Sequence, residues 1–319
     1  MRFAPSSEQR EFAASLRELL AKADVPAAVR SGDWRRIWPK LAEAGVTALN
    51  APDSLGGFGG DAVDLVVAFI ELGRAAVPGP VVESVAVLPA LLAGTPDEDV
   101  VAQLAAGEVV ATLALPPLVP FLVAGTTVDR CYVLDGTVLH TAAAGTEQRS
   151  VDASRRLAEI VPKDSLADGV DAQSVIDVGA LATAAQLIGL GEALLERGTA
   201  YALQRVQFGR PIGSFQAVKH QLADAAVGLE LARPLLFGAA LALRDRSATR
   251  ARDVSAAKVA AGEAAYRASR ASLQVHGAIG YTAEYDLAIW LTKVRALLPA
   301  WGTPAWHRAR VLAALQEQR

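Results

Sequence analysis

Residues 175–206 read VIDVGALATAAQLIGLGEALLERGTAYALQRV, and their spacing decides the fold. Leu181, Ala184, Ile188, Leu195 and Ala202 recur at helical intervals, which predicts one long helix over Val175–Val206 with a single apolar face. Gly189, Gly191 and Gly198 lie inside it. Glycine weakens a helix interior, so these three predict close approach of neighbouring helices. More helix follows. Ser214–Arg244 carries Phe215, Val218, Leu222, Ala225 and Leu229 on one face, with Ser214 as the expected N-cap. Asp253–Val275, Glu284–Ala300 and Thr303–Gln316 continue the pattern, and long helices on short links predict an antiparallel bundle over 166–319.

Upstream the period changes. Residues 105–165 read as strands: Val109–Leu115, then Arg130–Leu134 and Thr137–Thr141 flanking the turn pair Asp135-Gly136, then Leu157–Val161. This small sheet is expected to be the only β structure. Residues 1–104 are helical again, with Glu8–Ala23, Trp34–Ala44, a helix through Val63, Val66, Phe69 and Leu72, and Val81–Leu92. Pro52–Gly60 is read as a glycine-rich turn between helices. The expected fold is therefore mainly α: a helical domain over 1–104, a small, shortened β domain over 105–165 and a C-terminal helix bundle over 166–319.

Composition narrows the function. The 319 residues are 52% hydrophobic and 20% charged, which excludes a disordered chain. About a fifth are alanine, which suits tightly packed helices. Thirty-one basic and 34 acidic residues nearly cancel, leaving no footprint for nucleic acid or an anionic membrane. The apolar run Val110–Val123 is broken by Pro116, Pro117 and Pro120, so no membrane span is expected. Glu8, Arg10 and Glu11 interrupt the N-terminus, so a cytoplasmic location is expected. One cysteine, Cys131, and four scattered histidines offer no disulfide framework and no metal-ligand spacing.

Standard nucleophile, phosphate-loop and dinucleotide motifs are absent, and three segments stand out instead. Arg205-Val206-Gln207-Phe208-Gly209-Arg210-Pro211-Ile212-Gly213-Ser214-Phe215-Gln216 joins two long helices. It reads either as a helix link with a charged end or as a site where Arg205 pairs with a phosphate and Phe208 stacks on a base. Gln274-Val275-His276-Gly277-Ala278-Ile279-Gly280-Tyr281-Thr282-Ala283-Glu284-Tyr285 reads either as a glycine C-cap and turn or as a place of close backbone approach to a ligand. Trp301-Gly302-Thr303-Pro304-Ala305-Trp306-His307-Arg308 is a break between helices.

In order and spacing, these three segments resemble the acyl-CoA dehydrogenase family. The first is similar to its Arg-x-x-Phe-Gly…Gln element. The second is similar to its Gln-x-x-Gly-Gly-x-Gly-Tyr-x-x-Glu-Tyr element, with Ala278 for the second glycine. Pro52–Gly60 and Glu71–Pro78 fit as well. The resemblance implies α,β-dehydrogenation of an acyl-CoA with hydride transfer to FAD, a carboxylate taking the α proton. It also implies an FAD that spans two subunits. Arg205 would contact its pyrophosphate, Gln207 and Phe208 would help to hold it, and Gln216, Gln274 and Gly277 would lie near its adenosine or phosphates.

The departures from that pattern are concentrated. Most members carry a catalytic Glu directly before the Gly-Thr pair, where this chain has Trp301; others carry it near the start of the first bundle helix, a position that falls at Gly179. No flavin-ring element is found in the short β domain, and Thr292 replaces a family Arg. The resemblance is therefore to the short, non-catalytic subunits of steroid-degrading heterotetrameric acyl-CoA dehydrogenases. It implies FAD shared with a longer partner subunit in an α2β2 heterotetramer, with the acyl-CoA in the partner's site. Two rivals remain: a homomeric active dehydrogenase using Glu284 or Asp177 as base, and a flavin-free structural or CoA-binding scaffold.

Overall fold

The computed structural model describes residues 5–282 and 285–317. Its N-terminal part comprises α1 (Ser7–Lys22), α2 (Val25–Ser31), α3 (Trp38–Glu43), α4 (Ala62–Arg74), α5 (Leu88–Leu92) and α6 (Asp99–Ala106). Side chains start these helices where the sequence permits. Ser6 and Gln9 form a reciprocal capping box on α1, and Asp61 and Asp64 form another on α4. The expected Trp34–Ala44 helix is split, because Pro39 opens a new first turn after a 3₁₀ segment at Trp34–Ile37. Val81–Leu92 is likewise composite: a π-helical stretch over Val82–Val87 runs into α5, whose Pro89 stands in the first turn.

Five strands follow: β1 (Ala111–Ala114), β2 (Leu122–Val123), β3 (Arg130–Asp135), β4 (Val138–Gln148) and β5 (Leu157–Ala167). They form one sheet in the order β1-β3-β4-β5-β2, with β1 parallel to β3 and the other pairs antiparallel. Asp135 pairs with Val138, so the hairpin turn is Gly136-Thr137, one residue later than Asp135-Gly136. Gly136 takes φ +61° at the first central position, a place that favours glycine in hairpin turns.

The bundle contains α7 (Ala172–Gln204), α8 (Gln216–Arg244), α9 (Arg250–His276), α10 (Leu287–Leu297) and α11 (Pro304–Gln316). Asp171 caps α7 and Thr303 caps α11. Ser214 is not the N-cap of α8. It lies in a 3₁₀ turn, bonded to the Pro211 carbonyl, and Phe215 precedes the helix without a side-chain cap. A further hairpin, β6 (Val206–Gln207) with β7 (Arg210–Pro211), joins α7 to α8, so the five-stranded sheet is not the only β structure.

The glycines of α7 permit the close contacts expected of them. A Cβ on Gly189 would stand 1.9 Å from the Ile70 carbonyl oxygen of α4, and one on Gly191 would stand 2.6 Å from a Leu229 methyl of α8. An ionic ladder reinforces the joint. Arg17 of α1 grips Glu71 of α4 through two hydrogen bonds, Arg74 of α4 reaches Glu192 and Glu196 of α7, and Glu192 also pairs with Arg233 of α8. By length and composition α7 and α8 could each cross a membrane, but their settings differ. The apolar window of α7 is 83% buried in the bundle, whereas that of α8 is 33% buried. Val227, Leu231 and Leu235, one helical turn apart, are exposed on α8.

Candidate functional site

At one end of the bundle α7 gives way to the β6–β7 hairpin. Phe208 and Gly209, its two central residues, take φ +52° and +77°. A two-residue hairpin turn with both φ values positive matches the twist of the strands. Gly209 adopts that shape freely; for Phe208 it costs about 1–2 kcal/mol. The strain is retained on a side chain that is 91% exposed. Phe208 meets the Phe215 ring edge-on with centroids 6.2 Å apart, and the Arg210 guanidinium lies 4.2 Å from the Phe215 ring centre. The Ile212 N–H donates to the Arg205 carbonyl at 2.8 Å and closes the turn. Arg205, Gln207 and Gln216 are exposed.

The second segment caps α9. Gly277 takes φ +64° and ψ −140°, a shape open essentially to glycine alone, and a Cβ there would meet nothing within 4 Å. Gln274 and Gly277 are exposed, whereas His276 between them is buried. The His276 ring stacks on Tyr201 of α7, with centroids 4.3 Å apart. Arg205 follows Tyr201 by one turn and donates its N–H to the Tyr201 carbonyl. The structure thus brings Arg205, Gln207, Phe208, Gln216, Gln274 and Gly277 to one end of the bundle, with their polar groups turned outward.

The bundle interior is the opposite. Trp301 is 1% exposed, and its indole lies directly over Gly179. A Cβ on Gly179 would stand 2.2 and 2.3 Å from Cε3 and Cδ2 of the indole, so the two positions that the resemblance assigns to a base fill each other's space. The indole Nε1–H donates to Glu83 Oε1 at 3.2 Å. Burial pushes the Glu83 carboxyl up, opposed by the charge of Arg155. The crevice that remains between Val82, Glu83, Arg155, Gln186, Lys293 and Trp301 is about 20 Å³. That is room for about one water molecule. Lys293 is itself committed, to Asp152 at 3.0 Å and Ser154 Oγ at 3.1 Å.

The Trp301 backbone is also fixed. It takes φ +56°, and its carbonyl accepts a hydrogen bond from His307 Nε2 at 2.9 Å. That bond assigns the proton to Nε2, leaving Nδ1 to accept from Ser255 Oγ at 3.1 Å. Of the two rival bases, Asp177 is 1% exposed and bound to Arg310 of α11 at 2.5 Å. Glu284 lies outside the described residues. Among the described residues no cluster could hold a metal ion.

Sequence reasoning did not identify Glu83, Arg155 or His307 as parts of this site. Glu83 had a visible signal, as a lone acid in the apolar run Val81–Leu92. Nothing in the sequence marked the contact of Trp301 with Gly179.

Residues 6–108 match the family model described as acyl-CoA dehydrogenase, N-terminal domain, and residues 169–316 match acyl-CoA dehydrogenase, C-terminal domain. The acyl-CoA dehydrogenase IpdE2 of Mycobacterium tuberculosis is 34% identical over 310 residues, covering 91% of each chain. The chain belongs to the acyl-CoA dehydrogenase family. Solved structures share the fold at lower identity. One chain of the ChsE4–ChsE5 complex from Mycobacterium tuberculosis superposes with a TM-score of 0.85 at 22% identity, over 99% of both chains. A chain of the Tcur3481–Tcur3483 steroid acyl-CoA dehydrogenase gives 0.82 at 22%, over 98% of both.

Acyl-CoA dehydrogenases are flavoprotein oxidoreductases, so the fit of an FAD can be tested against these residues. Outside, Arg205, Gln207, Gln216 and Gln274 are exposed and Gly277 has an open face, a donor set suited to a diphosphate and a purine. Inside, a cavity of about 20 Å³ with a tryptophan across it has no space for an acyl thioester or for a reacting flavin ring beside one. The residues present fit the ADP half of the cofactor and not the reacting half.

Proposed function

We propose that this chain is the non-catalytic subunit of a heteromeric, FAD-dependent acyl-CoA dehydrogenase that desaturates a bulky, steroid-derived acyl-CoA. It contributes the ADP side of the FAD site in a longer partner subunit, in an α2β2 arrangement, and carries no base of its own. One observation carries the reading: Trp301 packed on Gly179 closes the interior, while the Arg205–Gln216 and Gln274–Gly277 turns stay open at the surface. The exposed apolar ridge of Val227, Leu231 and Leu235 supports a protein partner, since contiguous exposed apolar patches mark contact surfaces. The similarity to the acyl-CoA dehydrogenase IpdE2 over 91% of both chains supports the reaction class, and the complexes and steroid enzyme among the fold neighbours support the assembly and the substrate class. A homomeric enzyme relying on Asp177 is disfavoured by the ion pair that occupies that carboxylate.

Co-expression with a longer acyl-CoA dehydrogenase chain tests the reading. The purified complex is expected to carry one FAD per pair of subunits, read from flavin absorbance, and the isolated chain to carry little and to be inactive. Arg205→Ala removes a charge-assisted contact to phosphate, of about 1.5–3 kcal/mol. It should therefore weaken FAD retention in the complex by roughly 10- to 100-fold. Dehydrogenation by the isolated chain, or unchanged retention after Arg205→Ala, would overturn the proposal.

A further inference from the structure

His276 stands between the two exposed turns and is used by neither as a surface group. It is 4% exposed, yet all its polar and aromatic contacts are specific. Nδ1 lies 2.8 Å from the Ser272 carbonyl one helical turn back, so it carries the proton and donates. Nε2 is then an acceptor, and the Tyr285 hydroxyl donates to it at 3.3 Å. The ring lies over Tyr201, centroids 4.3 Å apart and planes 29° from parallel, and packs at 5.3 Å against Tyr285.

These contacts join elements that are distant in sequence. Tyr201 is in the last turn of α7, and its carbonyl accepts the N–H of Arg205, where the hairpin departs. His276 is the last residue of α9, directly before Gly277. Tyr285 follows the second turn. Arg205, Gln207 and Gln274 are exposed, and Arg205 makes no side-chain hydrogen bond or ion pair with another described residue. Their mutual placement is therefore inherited from the ends of α7 and α9, and His276 is a side chain that ties those ends together.

We infer that His276 is a positioning residue for the cofactor surface, setting through its stack on Tyr201 the spacing of the Arg205–Phe208 turn and the Gln274–Gly277 turn between which an ADP moiety is held. The inference rests on the FAD reading above, and its test separates the two. His276→Ala removes the clamp without touching an exposed group. In the purified complex, release of FAD followed by the rise of free-flavin fluorescence should be at least tenfold faster than in the parent. His276→Phe keeps an aromatic ring over Tyr201 and loses both hydrogen bonds, so it should restore release to within about threefold. Tyr201→Leu, which breaks the stack from the other side, should match His276→Ala. Hydrogen exchange on the isolated chain supplies a readout without cofactor: amides of Val206–Gly209 should exchange faster in His276→Ala, while those of the α7 core keep their protection. Parental release in His276→Ala and Tyr201→Leu, with fast release in Arg205→Ala, would overturn the positioning role alone. Parental release in Arg205→Ala would overturn the cofactor reading. If His276→Ala fails to fold, Tyr201→Leu and His276→Phe decide the matter, and fast release in His276→Phe equal to that in Tyr201→Leu would show that the stack is not what sets the spacing.

Discussion

Replacing Trp301 with alanine is expected to cost about 3–5 kcal/mol of folding free energy, the range for truncating a buried tryptophan. The side chain is 1% exposed, and its removal also leaves Glu83 without the indole donor. Gly179→Ala attacks the same contact from the other side. Its new methyl would stand 2.2–2.3 Å from the indole, and forcing extra volume into a packed core costs typically about 1–3 kcal/mol. The combination is the informative variant. With the indole gone, the methyl has space, so Gly179→Ala with Trp301→Ala should be no less stable than Trp301→Ala alone. A double-mutant cycle read from denaturant midpoints should then show a coupling of about 1–3 kcal/mol. Strict additivity would mean that the two residues do not share the space. Trp301→Glu is expected to restore no dehydrogenation, although it installs the carboxylate that most relatives carry. Its acid would enter a buried pocket beside the Glu83 carboxyl, where like groups suppress each other's ionisation.

The outline of the fold was legible in the sequence because helical periodicity over long stretches is a strong signal. Leu181, Ala184 and Ile188 lie at helical spacing, and all three are buried in α7. What failed were features set by one or two residues. Ser214 had the chemistry of an N-cap, but it lies inside the 3₁₀ turn Ile212-Gly213-Ser214, before the helix start. The hairpin at Phe208-Gly209 was hidden because its strands are two residues long and phenylalanine is an unusual choice for a left-handed turn. The surface half of the candidate site was legible for a similar reason to the helices: its residues are contiguous in two short segments. The interior half was legible only as a loss. That Trp301 and Gly179 both lack a carboxylate can be read from each position alone, but that one fills the space above the other is a fact of tertiary packing. The same holds for Glu83, Arg155 and Lys293, which converge from the π-helical stretch, the segment before β5 and α10.

The latch behind Trp301 makes stability depend on pH, and the sign follows from burial. His307 is fully buried, bonded through Nε2 to the Trp301 carbonyl and through Nδ1 to Ser255. Burial and the nearby charge of Lys258 push its pKa down to about 4, with Arg310 adding to the effect. In the unfolded chain the same imidazole titrates near 6.5. Between these values the unfolded chain binds a proton that the folded chain refuses, so folding stability falls as the pH is lowered from about 6.5 to about 4. The contribution is at most about 3 kcal/mol, because each tenfold change in proton affinity is worth about 1.4 kcal/mol. His307→Gln keeps a donor for the Trp301 carbonyl and removes the titrating group. It should be less stable than the parent at pH 7, because Ser255 Oγ loses its acceptor, and the gap should close as the pH approaches 4. Chemical denaturation of both proteins across that interval checks the prediction, since other acid-sensitive groups, such as Asp177 beside Arg310, are common to the two. Parallel stability curves would show that His307 is protonated in the folded protein, and would remove the assignment of its Nδ1 as the acceptor from Ser255.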